Sequence, residues 1–143
     1  MKTRTLIVAG MMLAGITVGS NAQSYFSSTP INGSAQKARI VRNYLACLAS
    51  DNEGTVESAL AHIAALKLNN PRVDLNGFDD AVTRLSREGS TPLIRYKAYL
   101  TGEVLDNVTL FGDESRKAYT EADEMFLAVS SRLSRAVLSD GAL

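Results

Sequence analysis

The stretch TPLIRYKAYLTGEV at residues 91–104 decides the fold that the sequence predicts. Thr91 offers a side-chain oxygen to the first helical turn, and Pro92 stands at the first helical position, where its missing N–H costs nothing. Apolar residues then recur at the spacing of an α-helix. We therefore predict an amphipathic helix whose buried stripe consists of Leu93, Tyr96, Leu100 and Val104.

The same apolar pattern occurs 37 residues earlier in the chain. Thr55 aligns on Pro92, and seven pairs of apolar positions, all predicted to face the core, coincide without a gap: Ala38/Leu75, Val41/Phe78, Leu45/Val82, Leu48/Leu85, Val56/Leu93, Ala59/Tyr96 and Ile63/Leu100. This offset indicates two copies of a helix–turn–helix unit. Because only Leu48/Leu85 is an identity, two unrelated amphipathic hairpins of similar length would align in the same way.

Working outward, the sequence predicts five helices and an all-α fold, since no stretch alternates with the period of a strand. The first runs from about Ser34 to Ala49, and Asp51 caps the second, which Pro71 stops. Asp74 caps the third, which Gly89 ends. The last and longest helix opens at Asp113, with these residues inward: Ala118, Ala122, Met125, Phe126, Val129, Leu133 and Val137.

Paired antiparallel helices with a period of about 37 residues resemble HEAT-type repeats, although the period is slightly shorter than usual. The resemblance implies an array of two antiparallel helical hairpins closed by a long C-terminal helix. Two units are marginal alone, because each buries its apolar face on its neighbours. The final helix, or a second subunit, is then expected to close the open end.

Three motifs between Asn43 and Leu110 resemble a group of small exported bacterial proteins with no assigned activity: SDNEG at 50–54, VESAL at 56–60 and IRYKAYL at 94–100. The resemblance covers about half of the chain. It implies export, and it implies no particular chemistry.

The N-terminus independently predicts export. Lys2 and Arg4 precede an uncharged, mostly apolar run at 6–18, and Ser20 and Ala22 have the small-residue spacing of a signal-peptidase site. We predict a signal peptide at 1–22 cleaved after Ala22, a flexible arm at 23–33 and a single helical domain at 34–143. The alternative, a membrane anchor, needs a run of about 20 apolar residues, which is longer than this one. The mature protein is therefore predicted to be periplasmic or secreted, without stable membrane insertion.

Composition narrows the possible partners. Without the leader, 121 of the 143 residues remain, and loss of Lys2 and Arg4 leaves 13 basic and 15 acidic residues, a net charge of −2. A nucleic-acid surface normally shows clustered Lys and Arg, so nucleic acid is not an expected partner. The single cysteine, Cys47, has no second cysteine for an internal disulfide.

No group of residues predicts catalysis, a metal or a cofactor, and we expect no enzyme. His62 is the only histidine, and a zinc site needs three or four ligands. The acidic pairs Asp79-Asp80 and Asp123-Glu124 are expected on solvated helix faces. Paired carboxylates do acid–base chemistry only where burial splits their pKa values.

Arg95, Tyr99 and His62 form the candidate binding site. In a stacked repeat the second helices of the two units lie side by side, so these residues are predicted to share a ridge. Tyr and Arg dominate the binding hot spots of protein interfaces. The alternative role of Arg95 is a structural ion pair with Glu57 or Glu53.

Two functional hypotheses follow. The first is a non-enzymatic scaffold that uses this ridge to bind another envelope protein or a second copy of itself, as helical repeats commonly do. The second is a domain that binds or senses a small apolar molecule between the hairpins and the last helix, lined by Phe78, Tyr119, Met125 and Phe126.

Overall fold

The computed structural model describes residues 30–140, which form an all-α fold without a strand in that part of the chain. Its five α-helices are α1 (Ser34–Leu48), α2 (Glu53–Asn69), α3 (Asp79–Glu88), α4 (Pro92–Asp106) and α5 (Ala122–Asp140). None of the helices in the described range is long and apolar enough to cross a membrane. The predicted signal peptide at 1–22 and most of the predicted arm lie outside the described residues.

The helix starts show how local sequence sets the element boundaries. Thr91 caps α4 as predicted, its Oγ1 accepting a hydrogen bond from the amide of Ile94 at 3.2 Å. The predicted cap of α2 is wrong by one residue. Asn52, and not Asp51, accepts the amide of Thr55 at 3.0 Å, because its amide oxygen is as good a capping group as a carboxylate.

The third helix also begins later than predicted. The side chain of Asp74 accepts the amide of Asn76 at 2.9 Å, which opens a 3-10 turn at Asn76–Phe78, and α3 follows at Asp79. Gly89 ends α3 as predicted, but its φ of −55° is open to any residue. Glycine is needed for space, since a Cβ would lie 2.7 Å from the carbonyl oxygen of Leu85.

The start predicted for the last helix, Asp113, is wrong. Two 3-10 turns, Val108–Phe111 and Glu114–Arg116, occupy the segment after α4, and α5 begins only at Ala122. The carboxylate of Glu124 accepts both the amide and the hydroxyl of Thr120, at 3.1 and 3.0 Å. This side-chain hydrogen bonding stabilises the start of α5.

The core lies around α4, which contacts α2, α3 and α5, while α1 packs on α2. Each fully buried large side chain contributes about 1.5–3 kcal/mol of apolar burial. At the N-terminal side, Ile31 from the predicted arm packs against this core, and its amide donates to the side chain of Asn70 at 3.1 Å. The largest fully buried side chains are Phe78, Phe111, Leu60, Ile63, Ile94, Leu100, Met125, Val82, Val104 and Val129.

The predicted buried faces are partly wrong. The face of α2 is buried as predicted, and so are Leu100 and Val104 of α4, but Leu93 and Tyr96 are about half exposed. The buried face of α4 is rotated so that Ile94, Lys97 and Thr101 point inward instead. Lysine is normally a surface residue, so the apolar pattern alone predicts that Lys97 lies on the exposed side of α4, whereas it lies on the buried side. Elsewhere, three residues predicted to be inward are exposed: Ala38, Ala118 and Val137.

Candidate functional site

The outer face of α4 presents three large side chains to solvent. Leu93, Tyr96 and Tyr99 are each about half exposed, although neighbouring positions on the helix are fully buried. They share one side because positions three residues apart on an α-helix are neighbours. We call these three residues the α4 outer face. Grouped exposed apolar side chains of this kind mark sites where proteins bind other molecules.

The two tyrosines of this face have different surroundings. The hydroxyl of Tyr96 lies 2.6 Å from the Oγ of Ser130, so the ring is tied to α5. Partial burial, followed by the charge of Glu103 and a hydrogen bond to it, raises the pKa of the Tyr99 hydroxyl. Tyr99 is therefore uncharged at neutral pH and can both donate and accept a hydrogen bond.

Beneath this face, Lys97 anchors α4 to two other helices. Its Nζ lies 2.6 Å from a carboxylate oxygen of Glu57 on α2 and 2.7 Å from one of Asp123 on α5. The ammonium also lies 5.6 Å from the ring centroid of Phe126, within cation–π range. Burial would lower the pKa of Lys97, but the hydrogen bonds and charges of Asp123 and Glu57 outweigh it and raise that pKa.

Thr101, one turn after Lys97, adds a second polar link to α2. Its hydroxyl is completely buried and lies 2.9 Å from the carbonyl oxygen of Lys97 and 3.3 Å from that of Leu60. Together, Lys97 and Thr101 face α2, so the outer face sits on a helix whose rotation is fixed.

Arg95 does not make the predicted ion pair. Its guanidinium donates to the carbonyl oxygen of Gly89 at 2.7 Å and so ties α4 to the end of α3. Glu57 binds Lys97, and Glu53 accepts a hydrogen bond from the Oγ of Ser90 at 2.9 Å. Among the described residues, Arg95 forms no ion pair with either carboxylate.

His62 lies at a different place, on the side of α2 that faces α1. Its ring stacks on Tyr44 with the centroids 6.0 Å apart, and its Nδ1 lies 2.7 Å from the carbonyl oxygen of Ser58. A carbonyl can only accept, so Nδ1 is the donor. His62 and Tyr44 line an open cleft of about 390 Å³, together with Cys47, Asn52, Gly54, Thr55, Ser58 and Ala59.

The structure therefore does not place the three predicted site residues on one ridge. Lys97 and Thr101 mark the side of α4 that meets α2. Tyr99 lies midway between them in sequence, and at about 100° per residue it points to the opposite side of the helix. His62 is on the far helix, against α1. Tyr99 belongs to the α4 outer face, Arg95 borders it, and His62 is separate from it.

Two further open clefts lie near α1 and the turn before α3. One, of about 400 Å³, has an apolar floor of Ala38, Val41 and Leu45 with Lys37 and Arg42 at its edge. The other, of about 230 Å³, contains Asp79, whose pKa is raised by burial and by the charges of Asp106 and Asp74. No group of three or more His, Cys, Asp or Glu residues within the described range is placed to hold a metal ion.

Sequence reasoning missed Lys97 because no local pattern marks it. Its partners lie 40 and 26 residues away in the chain, so only the assembled fold brings the charges together. Helical spacing alone predicts that Tyr96 is buried, but its exposure depends on how α4 is rotated against its neighbours.

Comparison with protein-family models, with curated proteins and with solved structures found no match to this chain.

Proposed function

We propose that this protein is an exported, non-enzymatic helical scaffold that binds another protein of the cell envelope through the α4 outer face. The observation that supports the proposal most is the exposure of Leu93, Tyr96 and Tyr99 side by side on a helix whose other side is fully packed. Tyrosine is among the residue types that contribute most to binding at protein interfaces.

The rigidity of α4 favours a docking role. A surface that is already ordered loses little conformational entropy on binding. The ion pairs of Lys97 fix the helix from behind, and the hydroxyl of Tyr96 is held by Ser130. A partner with an apolar patch and a hydrogen-bonding group facing Tyr99 fits this arrangement. We also propose that the pairs α1–α2 and α3–α4 are two HEAT-like repeats.

Export is proposed on the N-terminal sequence alone. The charged start, the uncharged run at 6–18 and the small residues Ser20 and Ala22 support cleavage after Ala22. N-terminal sequencing of the protein recovered from the periplasm or medium tests this step. The expected first residue is Gln23, and an uncleaved chain retained in the cytoplasm would contradict the proposal.

Binding of a small molecule is the second candidate function. Of the four side chains predicted to line such a pocket, Phe78 and Met125 are completely buried in the core and Phe126 nearly so. Tyr119 is partly buried, and its hydroxyl donates to the carboxylate of Glu114. A small molecule has room in the open cleft of about 390 Å³ beside Tyr44 and His62, unlike in the packed core. A ligand there would copurify with the protein, appear in native mass spectrometry and raise the melting temperature when added back.

The docking proposal is tested by crosslinking in the cell envelope followed by mass spectrometry, using wild type, Tyr99→Ala and Arg84→Ala. Arg84 is the control, because it is exposed and lies on a different helix, α3. We expect one reproducible partner with wild type and Arg84→Ala, and its loss with Tyr99→Ala at unchanged melting temperature. Equal capture by all three proteins would contradict the role of this face.

A further inference from the structure

The first helix, α1, is buried much less than the helix on which it packs. Leu48, in the last turn of α1, is its only fully buried residue, whereas eight residues of α2 are fully buried. Val41, Tyr44, Leu45 and Cys47 of α1 reach the core only in part. Because apolar burial supplies most of the free energy that holds helices together, α1 is held more weakly than α2.

Open clefts lie on both sides of the surface where α1 packs. The cleft of about 400 Å³ is bounded by Val41 and Leu45 of α1 and by Gly77 of the turn before α3. The cleft of about 390 Å³ is bounded by Tyr44 and Cys47 of α1 and by the first half of α2. Solvent therefore reaches the packing surface of α1 from two sides, and α1 can separate there without a change in the contacts among α2, α4 and α5.

The polar contacts that hold α1 in place are few. Within residues 30–140, no salt bridge joins α1 to another element. The Nζ of Lys37 donates to the carbonyl oxygen of Asp74 at 3.2 Å, and just before α1 the amide of Ile31 donates to the side chain of Asn70 at 3.1 Å. Both acceptors are uncharged, and water replaces such hydrogen bonds at little net cost when the surface opens.

Two aromatic contacts complete the attachment of α1. The ring of Tyr44 stacks on that of His62 and meets that of Phe78 edge-on, with the centroids 6.0 and 6.4 Å apart. Phe78 is completely buried, and Tyr44 covers one side of it. A movement of α1 therefore changes both the cleft beside His62 and the exposure of Phe78.

We propose that α1 is a flap, which opens from α2 as one unit about the turn at residues 49–52 while α2 to α5 keep their packing. Folded proteins open locally in contiguous units of this kind, and weakly buried elements open first. Opening removes Tyr44 and Cys47 from the cleft beside His62, so the flap controls access to the site of the second candidate function. The motion belongs to the free protein and needs no ligand.

Fraying of α1 from its N-terminal end is the competing motion. No side chain caps α1 at Gly33, and its first turn contains no acidic residue, so local stabilisation of that end is weak. Fraying would release Lys37 well before Leu48. Opening of the flap releases the whole helix, and a detached helix of 15 residues is marginal in water, so all its amides then exchange together.

Native-state hydrogen exchange of the purified protein separates these motions. We expect the α1 amides from Ala38 to Leu48 to exchange through one common opening, at least about 100-fold faster than the slowest amides of α2 and α4. Added urea should change this opening only weakly, because it exposes far less surface than global unfolding. Equal protection of α1, α2 and α4 would overturn the proposal, and so would a gradient of rates that rises steadily towards Ser34.

A disulfide between positions 41 and 77 should lock the flap. A Cβ at Gly77 would lie 3.9 Å from the Cβ of Val41, within the range of about 3.5–4.5 Å that a disulfide needs. Replacing Val41 by cysteine also removes the methyl group that would lie 2.9 Å from the new Cβ. The variant chain carries Val41→Cys and Gly77→Cys, with Cys47→Ser to exclude other pairings.

In this chain, oxidation should bring the α1 exchange rates to within about threefold of the slowest α2 and α4 amides. Reduction of the same chain is the matched control, and it should restore the difference. The wild-type measurement does not depend on how well this variant folds. If α1 kept its faster exchange after the disulfide had formed, its amides would exchange without opening of the flap, and the proposal would be refuted.

Discussion

Replacing Lys97 by methionine tests whether this residue holds α2, α4 and α5 together. Methionine keeps most of the buried length of the lysine stem and removes only the ammonium, so the loss of apolar packing is small. Two carboxylates then lose their partner. Glu57 is 28% exposed and Asp123 is 78% exposed, and this difference decides how much each ion pair contributes to the free energy of unfolding.

Breaking a fully buried ion pair costs about 3–5 kcal/mol, whereas an exposed pair contributes about 0.2–1 kcal/mol. Glu57 lies between these limits, so we expect its coupling to Lys97 to be about 1–2 kcal/mol. Asp123 is mostly hydrated, and its coupling is expected to stay below about 0.5 kcal/mol. Lys97→Met alone should lower the melting temperature by about 3–8 °C.

The assay is a pair of double-mutant cycles measured by urea unfolding. One cycle combines Lys97→Met with Glu57→Gln, and the other combines it with Asp123→Asn. The expected result is a coupling energy at least twice as large for Glu57 as for Asp123. Equal couplings, or a larger one for Asp123, would refute the inference that burial decides the strength of this network.

The remaining predictions concern single positions. The pKa of Glu114 is lowered, since burial, which would raise it, is outweighed by hydrogen bonds from Tyr119 and Lys117. A lowered pKa means stability that is complete above the unfolded value of about 4.3 and is lost as the pH falls through the folded pKa. In Glu114→Gln the free energy of unfolding should therefore fall less steeply as the pH is lowered below about 4.3. An unchanged fall would show that this carboxylate does not cause the loss of stability in acid. Gly89→Ala should destabilise the protein by about 1–3 kcal/mol in thermal unfolding, because the new Cβ would lie 2.7 and 2.8 Å from atoms of Leu85 and Ile94. In contrast, Gly102→Ala should stabilise it by about 0.5–1 kcal/mol, since Gly102 lies inside α4 and its nearest side-chain atom is at 3.7 Å; a loss of stability there would contradict the packing described for α4.

Sequence patterns predicted the elements of this fold better than their orientation. The start of α4 was predictable because Thr91 and Pro92 act locally. The start of α5 was not, because Asp113 has the residue type of a helix cap, whereas the segment after it forms only the 3-10 turn Glu114–Arg116 and the helix begins at Ala122.

The candidate site was predicted only in part, and for a related reason. Tyr99 was identified by residue type and is exposed. Helical spacing does not show how α2 and α4 are rotated against each other, so it could not separate His62 from the α4 residues. Nor could it show that Lys97 is buried, since its carboxylate partners come from distant helices.

Photo-crosslinking in living cells tests the central proposal most directly. A photoreactive amino acid replaces Leu93 of the α4 outer face in one strain, so that Tyr99 stays in place, and Arg84, the exposed control on α3, in another. We predict a crosslink from position 93 to one envelope protein, and none to that protein from position 84. Absence of a crosslink at position 93 in an abundant, folded and exported protein would contradict the proposal that the α4 outer face is a docking surface.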